Sequence, residues 1–267
     1  MALLVEIAKV FKRAPQCGAF LMLLSLSSLS PLIANAASCT PCRGKLYEVS
    51  SVYDGDTLHL RDGRTIRLIG INTPELGRQG ADDDPGAQRA KQALKQLVDL
   101  SDRQVKVCAG VERRDRYRRQ LAHLYTKQGD NINRQLIQLG VGYAIAVPPN
   151  LKNLACYATA ENRARVAGLG AWGRSVQEAS SLRGDETGFH LLRGYIIRVG
   201  QSRSGVWLNL EGGLALRITW DDWNSFAIED PDSLLYSLLE VRGWIYLRNG
   251  QQRLRVRHAA SVRWMES

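Results

Sequence analysis

From residue 46 onward, apolar and polar positions fall into short strand-like blocks. Residues 46–53, 57–61 and 65–71 are rich in Val, Ile, Leu, Thr and Tyr, and the Asp-Gly pairs at 54–55 and 62–63 separate them. Such runs predict strands, and Arg61-Asp62-Gly63-Arg64 predicts a tight hairpin. The period then lengthens. Ala90, Leu94, Leu97 and Val98 form one helical stripe, with Asp84 expected as N-cap and Pro85 in the first turn. Two more strands are expected over 104–111 and 121–125, and helices over 131–139 and 154–167, the last stopping at Gly168. Five strands and three helices without parallel βα alternation predict a small closed barrel.

A polar stretch, 173–188, follows and reads as a linker. Beyond it, strands are expected over 191–200, 205–210 and 214–220. A helical stretch within 221–239, interrupted at Pro231, precedes a hairpin of 241–248 and 251–258 turned at Asn249-Gly250. The expected class is mainly β with helices (α+β). The division is 1–36 as a leader, 37–45 as an N-terminal segment, 46–173 as a barrel domain, 174–187 as a linker and 188–267 as a second β-barrel.

The leader is read from composition. Lys9, Lys12 and Arg13 precede the apolar run 17–26, and Ala34-Asn35-Ala36 follows Pro31. A basic n-region, a short h-region and an A-x-A site predict a secretory signal peptide cut after Ala36. Ser27, Ser28, Ser30 and Pro31 break the run and disfavour an uncleaved anchor. The mature chain is then periplasmic or extracellular, without stable membrane insertion. Lys and Arg number 36 against 26 Asp and Glu, a net charge of +10, which favours an anionic partner such as nucleic acid or an acidic surface. With 45% hydrophobic and 23% charged residues, a disordered or collagen-like chain is excluded. Cys39, Cys42, Cys108 and Cys156 remain after cleavage, which in an exported chain suggests two disulfides with three possible connectivities. Cys39-Thr-Pro-Cys42 lacks the βαβ setting of a redox motif and the second Cys/His pair of a zinc site.

Three clusters carry chemistry: 53–57 (Tyr-Asp-Gly-Asp-Thr), 67–75 (Arg-Leu-Ile-Gly-Ile-Asn-Thr-Pro-Glu) and 115–122 (Asp-Arg-Tyr-Arg-Arg-Gln-Leu-Ala). Singly, each reads as a turn, a loop start or a solvated basic face. Together, Asp56 with Asn72 and Thr73 offers hard oxygens suited to Ca2+. Arg67 and Arg119 offer guanidinium forks for phosphate. Glu75 is one carboxylate left over to act as base. Alternation along the strand 65–71 would put Arg67, Ile69 and Ile71 on one face. A cation, two arginines and a carboxylate are what phosphodiester hydrolysis needs.

With these motifs the stretch 46–172 resembles the staphylococcal nuclease (thermonuclease) family, and the ending Glu161, Ala164 and Gly170-Ala-Trp172 matches as well. The resemblance implies a five-stranded OB-type barrel with three helices. It also implies a Ca2+-dependent phosphodiesterase acting on DNA and RNA and leaving 3′-phosphates. Arg67, Glu75 and Arg119 then match the catalytic arginine, the general base and the second arginine. Asp56 and the Thr73 carbonyl match metal ligands, with Asn72 where aspartate is familiar, and Asp54 matches a carboxylate behind them. Arg116 and Tyr117 match contacts to the substrate nucleotide. Losing one charge at Asn72 implies weaker Ca2+ affinity. Arg118 stands where glycine is usual, at a cost of about 1 kcal/mol if the position needs positive φ. Residues 144–147 lack the tyrosines that hold the nucleotide. The strand of Cys108 and the helix of Cys156 pack together in the family fold, implying a Cys108–Cys156 bridge and a Cys39–Cys42 pair. Asp82, Asp83 and Asp84 read as carboxylates attracted to a helix N-terminus.

The second body has the strand order of an OB-fold, in which arginines 248, 253, 255 and 257 could follow a backbone and Trp207 or Trp244 could stack a base. Its alternative reading is core tryptophans and an outward polar face. For the whole chain, the alternatives to an exported nuclease are a weakened or inactive nucleic-acid-binding protein on the same fold and a secreted structural module. Oligomeric state is not readable from the chain.

Overall fold

A computed structural model describes residues 38–77 and 80–265 of the chain; the leader expected over 1–36 lies outside the described residues. The first barrel is built from β1 (Leu46–Val52), β2 (Thr57–Leu60), β3 (Thr65–Leu68), β5 (Gln104–Arg114) and β6 (Gln120–Thr126). It closes in the order β1-β2-β3-β6-β5, and β3–β6 runs parallel. Two short strands, β4 (Ile71–Asn72) and β7 (Tyr143–Ala144), pair outside it. The helices α1 (Ala87–Asp99), α2 (Ile132–Gln138) and α3 (Leu154–Val166) surround it. Leu58, Ile66, Leu68, Val105 and Leu124 fill the barrel, and α1 adds Ala90, Leu94 and Val98 to the same core. His59 bonds Thr65, and buried His123 bonds the Tyr157 hydroxyl, which places both histidines in structural roles.

Two local readings change. The strand expected over 65–71 breaks at Gly70, whose φ is 76° and whose absent Cβ would lie 2.6 Å from the Tyr157 ring. The chain turns there, so Ile71 and Asn72 pair with Ala144 and Tyr143 instead of continuing β3. The one-face alignment of Arg67, Ile69 and Ile71 is lost with it. At α1 the N-cap is Gly86 at φ 100°, not Asp84. Asp84 instead accepts from the Glu75 N–H at 2.9 Å, and Asp83 from Gly77 N–H at 2.8 Å, so these carboxylates clamp the loop after Pro74.

The second barrel contains β9 (Gly188–Ser202), β10 (Gly205–Leu210), β11 (Ala215–Thr219), β12 (Leu238–Arg248) and β13 (Gln251–Arg255). The β12–β9 pairing closes it in the order β9-β10-β11-β13-β12, with β11–β13 parallel. This is the topology of the first barrel, an OB-type order. The expected helical stretch over 221–239 shrinks to α4 (Trp220–Trp223) and a 3-10 turn at Pro231–Leu234. Left-handed Ala227 and Tyr236, with Pro231, interrupt it. Two strands flank the barrel, β8 (Gln177–Glu178) on β9 and β14 (Val262–Trp264) on β12. Residues 174–187 therefore carry β8 and the fully buried Ala179, which joins the second core.

The barrels meet through buried charge. Arg242 of β12, 8% exposed, reaches both Glu161 carboxylate oxygens at 2.5 and 2.6 Å and the Ala144 carbonyl at 2.9 Å. Glu161 in turn accepts from the Ala144 N–H. Arg165 pairs with Glu240 beside it. A ring contact path runs from Trp172 through Tyr143 and Phe189 to Trp244.

The disulfides are Cys39–Cys156 and Cys42–Cys108, in place of the expected pairing. The segment 39–42 runs between α3 and β5. Thr40 bonds Asn153 through its N–H and Tyr125 through its carbonyl, so its two cysteines face different elements. Non-reducing peptide mapping should recover these two cross-links; recovery of a 108–156 peptide would contradict them. The bridges span separations of 117 and 66 residues, and reduction should cost roughly 2–5 kcal/mol per bridge, read in urea unfolding.

Candidate functional site

The site begins at the turn between β1 and β2. Gly55 is required there, because a Cβ would meet the Ala90 side chain at 2.5 Å and the Thr73 hydroxyl at 2.7 Å. Asp54 Oδ1 accepts from the Asp56 N–H at 3.0 Å and so shapes the turn. Asp56 is buried, and its Oδ2 accepts from the Thr73 N–H at 3.0 Å and the Thr73 hydroxyl at 3.1 Å.

Arg67 lies at 8% exposure on β3, opposite Thr57 of β2. A buried guanidinium must be fully partnered. Its Nη1 donates to the Leu68 and Ile71 carbonyls at 2.7 and 2.9 Å, and its Nη2 to Asn72 Oδ1 at 3.0 Å. The same Nη2 lies 3.0 Å from Asp56 Oδ2. The Gly70 turn is what brings Ile71 and Asn72 back to this side chain.

The second arginine arrives from the β5–β6 turn. Asp115 Oδ1 accepts from the Tyr117 and Arg119 N–H groups, and its Oδ2 from Arg119 Nε at 2.7 Å. Arg118 sits at φ 66°, the left-handed region in which a non-glycine residue is strained. Arg119 Nη1 reaches the Thr57 hydroxyl at 3.5 Å, and that hydroxyl donates to Asp56 Oδ1 at 3.2 Å. The two arginines thus converge on adjacent residues, 56 and 57. Tyr117 is exposed, with Arg116 stacked 4.7 Å from its ring centre. Glu75 is exposed on the clamped loop and close enough to raise the Asp56 pKa.

The structure therefore brings Asp54, Asp56, Arg67, Asn72, Thr73 and Arg119 into one linked cluster. Glu75 stands at its edge, and Arg116 and Tyr117 lie on the outer turn. Sequence reasoning missed Thr57, which links the two arginines, and Asp115 as the group that aims Arg119. An Asp opening a turn, two and four residues before the N–H groups it caps, was the available signal.

A family profile described as staphylococcal nuclease homologue matches residues 65–174. The chain is 33% identical over 141 residues to the thermonuclease of Staphylococcus intermedius, covering 51% of this chain and 82% of that one. This chain belongs to the staphylococcal nuclease family. It is also 32% identical over 139 residues to the succinoglycan biosynthesis protein ExoI of Rhizobium meliloti, covering 50% and 68% of the two chains. Endonuclease YncB of Bacillus subtilis is 29% identical over 126 residues, covering 46% and 59%. Asn72 and Arg118, two of the positions expected to depart from the family pattern, each have a defined setting here. The Asn72 carbonyl is engaged by Arg67, and Arg118 holds a left-handed turn without a glycine.

Among the described residues no three His, Cys, Asp or Glu side chains gather as a metal cluster. The ligand atoms gathered here are oxygens: the Asp56 carboxylate, the Asn72 amide oxygen and the Thr73 hydroxyl, with the Asp54 carboxylate behind them. That set fits a hard cation rather than zinc. Burial pushes the Asp56 carboxyl up to about 6; Arg67 opposes this, while Asp54 and Glu75 add to it. A carboxyl raised above its unfolded value stabilises the fold below about pH 4. That stability is lost as pH rises through about 6. In calcium-free buffer, urea midpoints should therefore fall from pH 4 to 6 in the parent and fall less in Asp56→Asn. Equal pH profiles in both proteins would contradict the assignment.

Proposed function

We propose that this chain is an exported, Ca2+-dependent nuclease that hydrolyses phosphodiester bonds of DNA or RNA to 3′-phosphate products. The observation that carries this reading is the convergence of Arg67 and Arg119 on the Asp56–Thr57 pair, with Glu75 beside it. Family membership and relatives named thermonuclease and endonuclease support it. Two disulfides support export to an oxidising compartment.

Asp56, Asn72 Oδ1 and the Thr73 carbonyl would hold the cation, with Asp54 shaping the turn behind them. Bound there, Ca2+ would supply charge stabilisation at the phosphoryl oxygens. Glu75 takes a proton from water, the water oxygen bonds to phosphorus, and the bond to the 5′ oxygen breaks. That oxygen leaves toward solvent, taking a proton from it to become the 5′-hydroxyl, and the phosphate stays on the 3′ side. Arg67 and Arg119 stabilise the charge developing on the phosphoryl group. Arg67 makes three Nη hydrogen bonds and an ion pair with Asp56 in this structure, so Asp56 and Asn72 must turn from it before Nη2 can receive phosphate. Arg116 and Tyr117 hold the nucleotide from the outer turn.

A second reading, a binding protein with weakened or no turnover, is favoured by the engagement of Asn72 with Arg67. Two variants separate the readings. Glu75→Gln should retain nucleic-acid binding and lose roughly 10²–10⁴-fold in turnover. Unchanged cleavage by that variant would remove Glu75 as the base. Asn72→Asp should lower the Ca2+ concentration for half-maximal cleavage by about tenfold, since oxygen-site affinity follows ligand charge. An unshifted calcium titration, with melting temperature intact, would remove residue 72 from the metal site.

A further inference from the structure

The outward face of the second barrel carries a platform that the first barrel's chemistry does not use. On β10, Val206, Leu208 and Leu210 point into the core, which turns Trp207 and Asn209 outward. Trp207 pairs with Arg217 of β11 and Gly200 of β9, and Asn209 pairs with Arg198. The Arg253 guanidinium lies 5.1 Å from the Trp207 ring centre and that of Arg217 5.9 Å. The cross-strand neighbour of Trp207 on β9 is Gly200, which has no side chain to pack beside the indole, and the indole itself is half-buried.

The charge on this face is one-sided. None of Arg198, Arg217 and Arg253 forms an ion pair among the described residues; Arg255 does, with Asp222. The region 188–267 holds ten arginines and no lysine. Guanidinium groups stack on rings and fork onto phosphate, which ammonium groups do not. Along β13 and just beyond it, residues 253, 255 and 257 fall on one side, about 6.7 Å apart per pair of residues. The last of these donates to the Pro148 carbonyl of the first barrel at 3.1 Å. The face thus leads to Pro148 of the first barrel.

We propose that this face, centred on Trp207 with Arg217, Arg253 and Arg198, is a second, non-catalytic site for a single-stranded nucleic acid. One base stacks against the outward indole in exchange for a guanidinium, and the arginines take neighbouring phosphates. A flat aromatic flanked by uncompensated cations suits an unpaired strand, whose bases are exposed, better than a duplex. Strands two and three of an OB barrel are where oligonucleotides dock in this topology. The identity of the strand as substrate rests on the nuclease reading; the binding site itself does not.

The test uses the full mature chain in EDTA, with a labelled oligothymidylate of about 16 nucleotides, the upper site size of an OB barrel. Arg217→Glu with Arg253→Glu, both solvent-facing, should weaken binding by about tenfold or more at unchanged melting temperature. It should also flatten the salt dependence by about 1.4 in log–log slope, two single-strand phosphate contacts. Trp207→Leu should weaken binding about fivefold or more through lost stacking, and oligothymidylate should quench tryptophan fluorescence in the parent only. With Ca2+ present, cleavage of a dinucleotide, too short to reach the second barrel, should be equal in parent and variants, while long single strands show a raised KM. Binding by the double variant at parental affinity and slope would overturn the proposal. Parental binding to duplex or to heparin as tight as to oligothymidylate, insensitive to Trp207→Leu, would also overturn it. If the parent cleaves nothing, the nuclease reading fails, and the EDTA binding comparison still decides the second site.

Discussion

A single buried guanidinium organises the first barrel's mouth. Arg67 cannot sit at 8% exposure without partners, and its four Nη contacts come from three separate pieces of chain. Satisfying them forces the turn at Gly70, draws Asn72 against β3 and sets Thr73 where its N–H and hydroxyl reach Asp56. The Asp56 carboxyl is therefore held by donors even before a cation is considered. Its raised pKa records the balance, with burial outweighing the attraction of Arg67. The same geometry makes the site reluctant as it stands, because the arginine expected to meet phosphate is already spent on the groups expected to meet the metal.

The second barrel is tied into that arrangement rather than hung on a tether. Arg242 and Glu161 are both buried, and between them they engage the carbonyl and N–H of Ala144. Ala144 pairs with Ile71, and its neighbour Tyr143 with Asn72. The contact between barrels thus ends one strand pair from Asn72 in the Arg67 cluster. Removing one partner of such a buried pair costs roughly 3–5 kcal/mol, because the other charge is left in a dry interior. Each barrel keeps its own core, so the coupling is carried by these few charged and aromatic contacts.

Much of this was legible in the chain because the signals are local. Period-two blocks with Asp-Gly turns marked β1, β2 and the start of β3, and the Asn249-Gly250 turn marked the β12–β13 hairpin. The left-handed turn at Arg118 was only a condition drawn from the family resemblance, and the structure shows φ 66° there. Asp56, Arg67, Asn72, Thr73 and Arg119, which the structure links, lie in three short motifs visible in the chain. The readings that changed were those in which tertiary contact outweighed local preference. Asp84 has the chemistry of an N-cap, yet closing the loop at Glu75 used it elsewhere, and Gly86 took the left-handed position. The run 221–239 has helical spacing but contains Pro231 and two left-handed residues.

The amino-acid sequence by itself determined most of the succession of strands and helices and the residue types brought together around Asp56. Backbone preference, side-chain alternation and turn chemistry act over a few residues and leave a visible period. Only the tertiary structure decided which cysteines join, that 177–181 packs on the second core, and that Arg242 meets Glu161 across 81 residues of chain. Those outcomes depend on distances created when the barrels close. No periodicity encodes which distant elements will pass within reach of a sulfur or a buried charge.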